Sequence, residues 1–131
     1  MRIPEIAEAV RTQNNRITEN PVFVVQQKRR DFGYDSDHAD NYTYWQGGEE
    51  ITDPDTLETI ANEIAERGFT DTHKSYYIDR WEFVTACFTE KGCEDYIRQN
   101  RHNLKEPRIY VESGHRNDEW KAIRNHLKAI V

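Results

Sequence analysis

The chain has 131 residues, 36% of them hydrophobic and 11% aromatic, which suffices for one packed core beneath a surface heavy in its 32% of charged residues. A net charge of −6 and a pI near 5.4 exclude the strongly basic footprint of a general nucleic-acid binder, and no apolar run nears the roughly 20 residues of a membrane helix. Two cysteines, Cys87 and Cys93, exclude a disulfide framework and read as buried structural thiols.

In chain order, Ile3, Ile6, Ala7 and Val10 recur at helical spacing around Pro4, predicting a helix to about Asn14 in an N-terminal arm of residues 1–20. Glu5 and Glu8 interrupt that stretch, so residues 1–30 lack the order of a signal peptide. After Asn20-Pro21, the run Val22-Phe23-Val24-Val25 continues into Gln26-Gln27-Lys28-Arg29-Arg30 as a strand with one wet end. Tyr42-Thr43-Tyr44-Trp45 predicts a second strand, hairpin-linked to the first and closed by Gly47-Gly48. Between them, Asp31 to Asn41 reads as a mobile loop.

Asp53 and Pro54 start a helix whose stripe is Leu57, Ile60, Ala61, Ile64 and Ala65, with Gly68 placed to end it. Tyr76 to Phe88 is the strongest strand pattern, with Trp81, Phe83, Thr85 and Cys87 on one face and Glu82, Val84, Ala86 and Phe88 on the other. Thr89 caps a helix carrying Cys93, Tyr96 and Ile97 to about Asn100–Asn103. Arg108 to Glu112 is a strand, and Asn117 caps a last helix with Trp120, Ile123, Leu127 and Ile130 inward. The expectation is one α+β domain over residues 1–131, in the order α-β-β-α-β-α-β-α. Its mixed sheet has about four strands, and the strand–helix–strand unit at 76–112 has room for a right-handed parallel crossover. The expected core joins Trp81, Phe83, Tyr96, Ile109, Trp120, Ile123 and Leu127.

Charge is unevenly spread. Residues 31–72 hold twelve acidic groups and one Arg, net −11, between flanks of +3 (residues 1–30) and +2 (residues 73–131). Such an asymmetry speaks to partners rather than fold.

Three strings carry a resemblance: Val24 to Arg30; Trp81-Glu82-Phe83-Val84-Thr85-Ala86-Cys87-Phe88-Thr89-Glu90-Lys91-Gly92; and Pro107 to Ser113 with His115-Arg116-Asn117. Together they resemble small, functionally uncharacterised proteins carried by tailed phages and prophages, over most of the chain except roughly residues 46–75. The resemblance implies a setting, the cytoplasm of a bacterial host, and no activity. Those proteins read Asn-Gly-His-Asn where this chain has Asn100-Arg101-His102-Asn103, so Arg101 stands at a position suited to a left-handed helix end.

Asp35, Asp37, His38 and Asp40 have some of the spacing of a calcium loop but lack its glycine and its terminal Glu, and a solvated acidic loop accounts for them. Asn100, Arg101, His102 and Asn103, with His115, Arg116 and Asn117, form the richest polar grouping, open to turn chemistry or to a phosphate or nucleobase. Lys28-Arg29-Arg30 and Arg98, Arg101, Lys105 and Arg108 read as scattered surface charge or as a basic patch. No nucleophile elbow, phosphate loop, metal-ligand set or cofactor signature is present. The expectation is therefore a non-enzymatic interaction protein, a counter-defence or host-takeover inhibitor. It would meet a basic groove of a host protein through Asp35, Asp37, Asp40, Glu49 and Glu50, with no cofactor and no membrane. The alternative is a nucleotide- or RNA-binding module using the Asn100–Asn103 and His115–Asn117 grouping, with a small metal-dependent hydrolase third.

Overall fold

The computed structural model describes residues 1–39 and 41–130. The protein is α+β. Its elements are α1 (Ile3–Thr12), β1 (Pro21–Tyr34), β2 (Asn41–Gln46), β3 (Glu49–Glu50), α2 (Pro54–Arg67), β4 (His73–Cys87), α3 (Glu90–Asn100), a 3-10 turn (Arg101–Asn103), β5 (Arg108–Ser113) and α4 (Asp118–Ala129). The sheet has five strands in the order β3-β2-β4-β1-β5, antiparallel throughout.

Two expectations about this sheet are corrected. It is antiparallel rather than mixed, and β3 adds a strand too short to carry a pattern of its own. β1 and β2 are not a hairpin, because β4 lies between them. The strand–helix–strand unit does connect two strands that run the same way, β4 and β5, with β1 inserted between them and paired antiparallel with β5 from Pro21↔Ser113 to Gln26↔Arg108. Pairing across such sequence distances is set by the whole fold, and local pattern carries no record of it.

The chain forms two compact units, Met1–Arg29 with Trp81–Val131, and Arg30–Arg80. In the first, Phe23, Val25 and Cys93 are fully buried and meet Val84, Cys87, Tyr96, Ile97, Ile109 and Val111. Thr89 accepts from the Gly92 amide (2.9 Å) and Asn117 from the Trp120 amide (3.0 Å), so both expected caps are made. α1 packs against α4, burying Ala7, Val10, Arg124 and Leu127. Gly114 is obligatory here, since a Cβ would stand 2.7 Å from the Trp120 ring and 3.1 Å from the Asn20 carbonyl.

The expected core is half wrong. Leu127 is buried, but Trp81 is 38% exposed, Phe83 63% and Ile123 52%. On β4 it is Val84, and Cys87 at the strand's end, that pack against the buried cluster. On α4 the buried positions are 124 and 127, and Arg124 occupies the place of an apolar residue at 2% exposure. The helix α3 also does not stop in a left-handed residue: Arg101 is right-handed helical (φ −51°) and opens the 3-10 turn directly.

In the second unit, β2 pairs with β4 from Asn41↔Tyr77 to Trp45↔His73, and Gly47-Gly48, both at positive φ, turn β2 into β3. Asp53 caps α2 by accepting from the Thr56 amide (3.0 Å) and hydroxyl (2.7 Å). α2 is a surface helix in which only Ile60 is buried.

Candidate functional site

Charge is divided unevenly between the two units. The first unit holds fourteen basic and eleven acidic residues, net +3; the second holds four and thirteen, net −9; together they give the chain's −6. Within the second unit several carboxylates are spent on the fold. Arg30 pairs with Glu50 (2.8 Å) and approaches Asp79 (3.7 Å), and Arg80 pairs with Asp31. The Thr43 hydroxyl donates to Glu50 (2.8 Å) and the Thr70 hydroxyl to Glu63 (3.1 Å). Asp35 meets the His38 ring, and Asp53 is the α2 cap. Asp37, Glu49, Asp55, Glu58, Glu66 and Asp71 make no ion pair or side-chain hydrogen bond among the described residues, and all six are exposed.

This redistributes the expected partner-binding residues. Asp37 and Glu49 are exposed and open to a partner, whereas Glu50 is held by Arg30 and Thr43. Asp40 lies outside the described residues. Asp35 and Asp37 precede the start of β2 while Glu49 and Glu50 follow its far end. Five residue rises, about 17 Å, separate the two groups. The largest supply of open carboxylate is instead on α2, at Asp55, Glu58 and Glu66, beside its exposed Ile64. The signal for this was in the sequence: a helix stripe too weak to be buried, flanked by acids and relieved by only one Arg.

A cleft of about 540 Å³ opens beside α2, lined by Arg30, Tyr42, Tyr44, Glu50, Leu57 and Tyr77 among others. Its size is that of a side-chain or small-ligand pocket. The Arg30 guanidinium lies 4.3 Å from the centre of the Tyr77 ring, and the Lys74 ammonium 4.0 Å from that of Tyr42. A hydrogen bond with Tyr76 holds the Lys74 pKa above its ordinary value, keeping it cationic. The cleft therefore presents tyrosine faces and one neutralised ion pair, which suits an inserted side chain better than a free anion.

The Asn/His/Arg grouping is not brought together. Arg101, His102 and Asn103 precede β5, and His115, Arg116 and Asn117 follow it, so the strand's length stands between them. Asn100 donates to the Tyr96 carbonyl (2.9 Å), Asn103 bonds His102 (3.2 Å), and Asn117 is the α4 cap. The basic strings are likewise divided: Lys28 pairs with Glu106, Arg29 with Glu82, Arg30 with Glu50 and Arg98 with Asp95. Cys93 donates to the Phe23 carbonyl (3.3 Å), and burial pushes its thiol well above the ordinary range, leaving it a neutral packing group. Among the described residues, no three His, Cys, Asp or Glu side chains gather as metal ligands, and no helix is long and apolar enough to cross a membrane.

Fold and surface thus define an α+β chain whose exposed, internally unpaired carboxylates are concentrated in residues 30–80. No family model, curated protein or solved structure matches the chain.

Proposed function

We propose that the protein works by binding rather than catalysis, its acidic unit capturing a basic surface of a protein partner. The observation that carries this is the segregation of charge, −9 in residues 30–80, with six exposed carboxylates left over after internal pairing. A field of one sign steers a basic partner and speeds its docking. Ile64 on the same helix and the tyrosine-lined cleft supply apolar contact, which gives affinity that charge alone does not. In the setting implied by the sequence resemblance, a phage-carried chain in a bacterial cytoplasm, the partner is a host protein. A nucleic-acid channel of a defence or replication enzyme has the required basic groove.

The test is capture from bacterial lysate, read by mass spectrometry, with the wild type and a variant carrying Asp37→Lys, Glu58→Lys and Glu66→Lys. These residues are exposed, so the fold survives the change, as circular dichroism verifies. The wild type retains a partner with a basic surface at low salt and loses most of it at about 0.5 M salt, where exposed charges are screened within a few ångströms. The variant retains none. Equal capture by both proteins refutes the proposal.

A further inference from the structure

The inward face of β4 being that of Val84, its opposite face carries Trp81 and Phe83 outward. β5 faces the same way with Arg108 and Tyr110, which pair in register with Gln26 and Val24 of β1. Tyr110 is 45% exposed. Arg108 reaches across β1 and lays its guanidinium 3.8 Å from the centre of the Trp81 ring and 5.4 Å from that of Tyr110. Its Nε donates to the Gln26 side-chain oxygen (2.8 Å), which fixes the plane. Arg108 makes no ion pair among the described residues, in contrast to Lys28, Arg29 and Arg98 in the same unit.

Val24, in register with Tyr110 on this face, is buried, yet the three rings around the oriented guanidinium keep 38%, 63% and 45% of their own surface exposed. Burying them would have been worth several kcal/mol to the fold. We infer that this face is a stacking platform for single-stranded nucleic acid. Phe83 and Tyr110 take unstacked bases, and Arg108, held upright by Trp81 and Gln26, takes a phosphate. The charge agrees, since the platform lies in the unit of net +3 while the acids are concentrated in the other. A duplex is disfavoured, because rings standing on a sheet reach only bases already out of the stack. This inference is independent of the acidic unit's partner.

The test uses fluorescence anisotropy with fluorescein-labelled oligouridine, oligothymidine and a duplex of mixed sequence, each of about 12 nucleotides, within the site sizes such platforms show. Saturable binding of a single strand, RNA or DNA, with little binding of the duplex, is expected, and the two single-stranded arms show which sugar is preferred. Phe83→Ala and Tyr110→Ala should each weaken it about 5- to 150-fold, the loss of one stacked base. Arg108→Gln should weaken it and reduce the salt slope by about one phosphate contact. Trp81→Phe, which keeps a ring beneath Arg108, should retain most of the affinity. The inference fails if neither single strand binds saturably, if the duplex binds as well, or if binding survives all three truncations in variants shown by circular dichroism to be folded.

Discussion

The Phe23 ring is fully buried in the cluster around Cys93, whereas Phe83 is the most exposed of the aromatics discussed above. Phe23→Ala should therefore cost about 3–5 kcal/mol in urea unfolding, and Phe83→Ala less than about 0.5 kcal/mol. Comparable losses at both sites would show that β4 presents its other face inward. Arg124 is a second test at this scale. Its guanidinium is buried on α4, its Nε has no hydrogen-bond partner, and burial lowers its pKa. An unsatisfied buried polar group costs about 1–3 kcal/mol, so Arg124→Met, which keeps a long apolar stem, should raise stability by that order. A loss of stability would mean that the guanidinium is well satisfied.

Helix ends were the most legible elements. Asp53, Thr89 and Asn117 each cap the helix that the sequence assigns to them, because a cap is a contact over three residues and depends on little else. Strand faces were less legible. Hydrophobicity alone puts Trp81 and Phe83 inside, but β4 has apolar residues on both faces near Val84, and alternation does not say which face has a helix over it. The strand order was not legible at all, since β1, inserted between β4 and β5, ends 39 residues before β4 begins and 74 before β5 does. The α2 cap gives a pH test. Hydrogen bonds from the Thr56 side chain and backbone hold the Asp53 carboxyl below the usual carboxylate range. A group with a depressed folded pKa stabilises above its unfolded value and loses that contribution as pH falls through the folded one. Hydrogen exchange in the first turn of α2 should therefore accelerate below about pH 4. Asp53→Asn, a neutral cap, should remove much of that acid step while keeping protection at neutral pH, and Asp53→Ala should lose protection throughout. An unchanged acid step in Asp53→Asn would assign it to other carboxylates.

At the scale of the whole molecule, the charge asymmetry of the sequence survives folding only in part. The −11 of residues 31–72 overstates the free acidity, because Arg30 and Arg80 just outside that window neutralise Glu50 and Asp31. What remains sits on an element with little holding it down: α2 buries only Ile60, and Asp55, Glu58, Glu63 and Glu66 share it with the single cation Arg67. α3, by contrast, buries Cys93 in the main cluster and pairs Asp95 with both Lys91 and Arg98. Elements with few buried contacts open at lower free energy, and like charges within a Debye length add to the strain. Native-state hydrogen exchange should thus find α2 opening well before α3. Raising salt from about 0.02 to 0.5 M should slow exchange in α2, as its carboxylates are screened, and leave α3 nearly unchanged. Equal protection of the two helices, or slowing of both alike with salt, would show that the acidic unit carries no stored repulsion and so no electrostatic gain for a basic partner to release.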